Sequence, residues 1–134
     1  MVEINSTDYH DFVIKNKKLI GEFDQMYQKS REVPWHQDKQ VEWLDIRLTL
    51  ELLKQYSPFD YICDFGAGLG YFLDILKRNV GTRKCNLIGF DISLACCKKG
   101  KKLFPDIRFV TLDLIAESNN IFQEKKRKEK IICH

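Results

Sequence analysis

Three carboxylates and a glycine-rich bend are the residues of this chain whose types and spacing can do chemistry. Asp64-Phe65-Gly66-Ala67-Gly68-Leu69-Gly70 follows a short apolar run and precedes a periodic apolar stretch, so it reads as a strand-to-helix bend. Glycine lets the main chain turn sharply and lets a ligand come close to the backbone. The helix start that follows offers N–H groups to an anionic group. Asp91 and Asp113 each end a later apolar run, Asn86-Leu87-Ile88-Gly89-Phe90 and Ile107 to Leu112. A carboxylate accepts through two oxygens, so Asp91 can take two donors of one ligand. Its distance of 27 residues from Asp64 fits one strand-to-strand crossover. Ligands of open parallel sheets sit outside the carboxyl ends of the strands, and all three acids fall there. Taken singly, Asp91 or Asp113 also suits a helix N-cap, a frequent task for Asp after a strand.

Two ligand classes are disfavoured by the same residues. A dinucleotide loop needs Gly-x-Gly-x-x-Gly, and counting from Gly66 the third position is Tyr71. A triphosphate loop ends in Lys-Ser/Thr, which is absent here. The pattern of an acid, one residue and Gly-x-Gly-x-Gly, followed by acids at the ends of the next two strands, resembles the class I S-adenosylmethionine-dependent methyltransferases. The resemblance runs from Phe59 to about Leu114. It implies S-adenosylmethionine as cofactor, held by Asp64, Gly66, Ala67, Gly68, Gly70, Asp91, Ile92, Asp113 and Leu114. In that reading Asp64 lies near the methionine part and the Gly66 and Gly68 backbone accommodates the amino-acid tail. Asp91 takes the ribose, and Asp113 with Leu114 borders the adenine. The cofactor is cationic at its sulfonium and ammonium, so an acid-rich rim favours it. The segment from Tyr27 to Trp35 resembles the part that covers the cofactor pocket in some small-molecule methyltransferases. Tyr27 or Trp35 would then close the site, and Arg47 would meet the cofactor carboxylate; packing and solvated roles are the alternatives. His36 is considered as a base and set aside, so no catalytic residue is assigned, and no metal is expected.

The elements that must position these residues follow from periodicity. Phe12, Leu19, Ile20, Phe23, Met26 and Tyr27 recur at three- and four-residue steps, which predicts one helix capped by Ser6 or Thr7. Pro34 breaks it. Val41, Leu44, Leu48, Leu52 and Leu53 predict a second helix, ended by Ser57-Pro58. Strand, helix, strand, helix and strand then alternate over 59–63, 71–78, 86–90, 93–103 and 107–112. Short turns in that order imply a parallel sheet with right-handed crossovers. The expected fold class is therefore α/β: a Rossmann-like β-α-β-α-β half of the methyltransferase fold with an N-terminal helical cap. The cap is placed at 1–57 and the cofactor domain at 58–134.

Composition bounds the rest. The chain has 134 residues, 44% hydrophobic and 31% charged, the balance of one globular domain. No signal peptide and no membrane-spanning run is legible. Five cysteines, odd in number and without a C-x-x-C, suit reduced thiols in the cytoplasm better than disulfides or zinc. The net charge of +3 equals the excess within 123–130, so no basic face points to nucleic acid as partner. Residues 122–130 read as a charged helix, and Ile131-Ile132-Cys133 begins a fourth strand, which the resemblance places beside strand one. The chain is therefore expected to be truncated in strand four: the cofactor half of an enzyme with a small-molecule acceptor, weak or inactive in this form. Strand one would be left as an open apolar edge prone to self-association. A non-catalytic cofactor-binding or interaction module, or an NAD- or nucleotide-binding half, are the alternatives.

Overall fold

The computed structural model describes residues 8–80, 84–114 and 131–133, the last three as backbone. In chain order these form a 3-10 turn over Tyr9–Phe12, strands β1 (Ile14–Lys15) and β2 (Lys18–Leu19) and helix α1 (Phe23–Lys29). A 3-10 segment over Pro34–Glu42 and helix α2 (Leu44–Tyr56) follow. Then come β3 (Tyr61–Phe65), α3 (Tyr71–Asn79), β4 (Asn86–Asp91), α4 (Leu94–Leu103), β5 (Arg108–Thr111) and β6 (Ile131–Cys133). The main sheet has the order β5-β4-β3-β6 and is parallel throughout. β3 is buried at its three central residues, as a strand covered on both faces must be. No described helix is long and apolar enough to cross a membrane.

The sheet and its crossover helices match the expected order, and the N-terminal segment does not. One long helix was expected where the chain makes a 3-10 turn, a hairpin and a short helix. Asn16 (φ 51°) and Lys17 (φ 61°) lie in the left-handed region, the two-residue turn that joins antiparallel strands. The Ile20 N–H donates to the Val13 carbonyl at 2.8 Å and closes it. Tyr9, Val13, Met26 and Tyr27 carry the burial, while Leu19 stays exposed. The turn is capped by Asp8, whose carboxylate accepts from the His10 N–H; Ser6 and Thr7 lie outside the described residues, as does the expected helix over 122–130.

Two further expectations are corrected. α2 forms where expected, but its buried face is Ile46, Leu50 and Leu53; Leu44, Leu48 and Leu52 face solvent. β6 pairs with β3 as anticipated, Tyr61 opposite Ile131 and Cys63 opposite Cys133. β3 is therefore an inner strand over Tyr61–Cys63 rather than an open edge.

The core between α2, α3 and the sheet contains Leu50, Phe59, Ile62, Leu73, Leu76 and Ile107. Phe109 of β5 shapes the far side. Its ring fills the space left by three missing β-carbons: at Gly70 ahead of α3, at Gly89 in β4 and at Gly100 in α4. A Cβ on Gly100 would stand 2.6 Å from the ring and 2.9 Å from the Leu69 carbonyl oxygen. Gly100→Ala gains helix propensity of about 1 kcal/mol, yet overpacking costs typically ~1–3 kcal/mol. We expect a net loss of stability in urea melts despite the better helix former.

Candidate functional site

The three acids arrive at one end of the sheet because each belongs to a neighbouring parallel strand. Asp64 is the fourth residue of β3, Asp91 the last of β4, and Asp113 follows β5 by two residues. A cavity of about 390 Å³ opens above these tips, within the ~300–1,000 Å³ of small-molecule sites. Gly66, Asp91, Ile92, Asp113 and Leu114 of the expected set line it. Asp64, Ala67, Gly68 and Gly70 do not. Asp64 is buried beside Asp91 and Ala67 is in the core. Gly70 (φ 91°) stands at the start of α3 against Phe109.

The glycine bend is held by its own hydrogen bonds. Gly66 and Ala67 donate to the Phe90 carbonyl at 2.8 and 3.0 Å, and Gly70 donates to the Ala67 carbonyl at 3.0 Å. Gly68 donates to Asp91 Oδ2 at 2.9 Å and Leu69 to Gln37 Oε1 at 2.8 Å. Every N–H from Gly66 to Gly70 is thus engaged within the protein. The loop makes no nest of free donors for a phosphate, contrary to the donor role that the sequence suggested for this turn. Gly66 is the glycine that faces open space: a Cβ there would meet no atom within 4 Å. Gly68 is instead covered by Gln37, whose amide nitrogen would lie 2.1 Å from a Cβ.

Asp91 is the electrostatic centre. Its other oxygen, Oδ1, accepts from the Ser93 N–H at 3.0 Å. Burial pushes its carboxyl up, and the charge of Asp64 adds to this; the Ser93 and Gly68 N–H groups act in the opposite sense without reversing it. The Ile92 N–H adds a third backbone donor, so the carboxylate keeps room for one further donor. The described lining carries the Asp91 and Asp113 carboxylates and no Lys, Arg or His.

The opposite wall comes from the N-terminal segment: Phe23, Tyr27, Trp35 and Gln37. Tyr27 is buried, with its phenol raised by that burial and hydrogen-bonded to Cys96, and it accepts from Gln37 Nε2 at 3.2 Å. Trp35 and His36 are left-handed (φ 59° and 48°), which turns Gln37 inward toward the glycine bend. Trp35 packs edge-on to Tyr9 with centroids 5.1 Å apart. His36 and Arg47 are exposed and line no part of the cavity. Sequence reasoning missed Gln37, Phe23, Phe90 and Leu112, because a glutamine in a broken helical stretch gives no local signal of burial.

Two polar clasps fix α1 alongside α4. The Asp24 carboxylate accepts from the Ser93 hydroxyl at 2.9 Å and from the Ala95 N–H at 2.8 Å, so it caps α4 from another helix. At the other end Lys99 Nζ donates to the Tyr27 carbonyl. The Ala95 N–H, then the Ser93 hydroxyl, hold the Asp24 carboxyl below its usual range.

Two pH dependences follow, of opposite sign. Asp24 binds its proton less tightly folded than unfolded, so its contribution is present above the ordinary aspartate pKa and is lost as pH falls through the lowered value. Asp24→Asn should lower the melting temperature at neutral pH, the gap closing in strongly acidic buffer. Asp91 binds its proton more tightly folded, so wild type loses stability as pH rises from the ordinary to the raised value. Asp91→Asn does not titrate and should escape that loss, which parallel thermal melts across the acidic range will read.

No protein-family model matches the sequence, and no curated protein matches it. Solved structures do match. The plantazolicin methyltransferase BpumL, in complex with a triazolic desmethylPZN analog and SAH, has a TM-score of 0.51 at 19% identity, over 74% of this chain and 41% of that one. The plantazolicin methyltransferase BamL has a TM-score of 0.48 at 22% identity, over 95% and 44%. A TehB-like SAM-dependent methyltransferase from Corynebacterium glutamicum has 0.46 at 20% identity, over 75% and 55%. Across its complexes BpumL is spanned over only 35% to 41% of its length. The sheet order, the glycine bend after β3 and the match to BpumL agree: this chain has the fold of the class I S-adenosylmethionine-dependent methyltransferases, over the part that carries strands β3 to β5.

Proposed function

We propose that the chain binds S-adenosylmethionine in the cavity above the strand tips and serves methyl transfer to a small-molecule acceptor. The observation that carries this reading is electrostatic. The cavity is rimmed by Asp91 and Asp113 beside a glycine bend whose N–H groups from Gly66 to Gly70 are all engaged. Such a site attracts a cation and gives a pyrophosphate few partners. The acceptor capacity left on Asp91 beside the Gly68, Ser93 and Ile92 N–H groups suits a ribose hydroxyl. Gly66 leaves open space for the amino-acid tail, and Asp113 with Leu114 borders the base. Ile92 adds apolar surface; Asp64 acts through the charge that it places behind Asp91.

When bound, the cofactor supplies an electrophilic methyl group on its sulfonium. The protein's share is to align the acceptor and exclude water, a contribution that can be large for a bimolecular transfer. Tyr27, Trp35 and Phe23 supply that dry wall. The described lining residues include no His, Lys or Cys, so an acceptor that is already nucleophilic is favoured over one needing a strong base. BpumL is solved with a triazolic desmethylPZN analog, which makes a compound of that class the natural second acceptor to screen. We assign 58–134 to the cofactor-binding unit and 1–57 to its cap, acting in the reducing cytoplasm, where Cys63, Cys85, Cys96 and Cys97 stay free thiols.

Thermal melts with S-adenosylhomocysteine and with NAD test the reading. At a hundredfold excess over its Kd, a bound ligand stabilises by about 2.7 kcal/mol. S-adenosylhomocysteine should raise the melting temperature and NAD should not. Asp91→Asn keeps only one acceptor oxygen for the Gly68 and Ser93 N–H groups and should lose most of that shift, with circular dichroism of the variant separating loss of the ligand from loss of the fold. A shift with NAD, or none with either, would overturn the proposal.

A further inference from the structure

A carboxylate on a bound ligand needs N–H donors, and the described lining of the cavity holds few. Its side-chain N–H groups are those of Gln37 and Trp35. The main-chain N–H groups from Gly66 to Gly70 already donate within the protein. The Tyr27 hydroxyl is turned to Cys96. Gln37 is buried, yet it borders the cavity. Its amide has one orientation: Oε1 accepts from the Leu69 N–H at 2.8 Å, so Nε2 is the atom at the Tyr27 hydroxyl, 3.2 Å away. A flipped amide would set two donors face to face at Leu69. An amide nitrogen carries two hydrogens, and Tyr27 takes one. The amide covers Gly68, in the same bend that opens on the cavity at Gly66. Two successive left-handed residues, Trp35 and His36, bring it there. Non-glycine residues keep that conformation only where the surroundings impose it, and such positions cluster at ligand sites.

Resting on the reading of this cavity as the S-adenosylmethionine site, we infer that Gln37 binds the cofactor's carboxylate through its second Nε2 hydrogen and so selects cofactors that keep the amino-acid tail. A neutral amide suits that tail. It donates to the carboxylate without setting a fixed positive charge beside the ammonium and sulfonium of the same molecule, as Lys or Arg would. The Asp91 carboxylate stands on the Gly68 N–H of the same bend, so a second carboxylate brought close to it needs a donor of its own.

Calorimetric titration of the full chain with S-adenosylhomocysteine and with decarboxylated S-adenosylhomocysteine, in mildly alkaline buffer, tests this. Gln37→Glu keeps the shape of the side chain and an acceptor for the Leu69 N–H, but sets a carboxylate where the donor was. Gln37→Leu removes donor and acceptor together, and Gln37→Glu carries the test alone if that variant does not fold. Each folded variant should bind S-adenosylhomocysteine at least about tenfold more weakly, the scale of one hydrogen bond to a charged group. Each should bind the decarboxylated analog at least as tightly as wild type. A merely structural role would weaken both ligands alike. Trp35→Phe removes the other side-chain N–H and keeps a ring, and it should not discriminate between the two. Equal loss of both ligands, an unchanged affinity for S-adenosylhomocysteine, or a discriminating Trp35→Phe would overturn the inference and leave the cofactor reading standing. A wild type that binds neither ligand would overturn both.

Discussion

The Asp91 carboxylate is the interaction on which the site depends. It stands at the tip of β4 and accepts from Gly68 in one strand-to-helix bend and from Ser93 in the next. One side chain therefore sets the spacing between the two loops that frame the cavity. Its burial beside Asp64 raises its carboxyl, so the negative charge is held at a cost that the backbone bonds only partly offset. A buried carboxylate whose pKa is raised by desolvation and a neighbouring acid is a feature that clusters at functional sites. Here it faces a cavity of ligand size.

The N-terminal segment completes what the sheet begins. Met26 and Tyr27 pack with Leu69 and Cys96 in a second cluster that joins α1 to α4 and to the glycine bend. Polar contacts at both ends, Asp24 on the start of α4 and Lys99 on the end of α1, fix the direction of that packing. Gln37 reaches from the next segment to cover Gly68 and bond Leu69. The bend thus has two sides. Gly66 opens on the cavity, whereas Gly68 is glycine because a neighbouring side chain needs the room.

α2 links the domain interior to its surface. Its inner face closes the core against α3, and its outer leucines present a second apolar seam.

The sequence by itself determined the alternation of β3, α3, β4, α4 and β5 and the placement of Asp64, Asp91 and Asp113 at their ends. These features are local or follow from rules of parallel sheets: apolar runs, glycine at the bend, Ser93 as cap, right-handed crossovers. The place of β6 beside β3 came from the resemblance to the methyltransferases, and the sheet has it so. Tertiary structure decided the rest. Apolar spacing is the same for a helix and for a hairpin that happens to turn at Asn16-Lys17, so periodicity misread the first segment. It also picked the outer stripe of α2, since two apolar faces on one helix look alike until one of them finds a core. The inward turn of Gln37 and the bonds of the Gly68 and Leu69 N–H groups arise from contacts 10 to 32 residues apart in the chain, which no local pattern encodes.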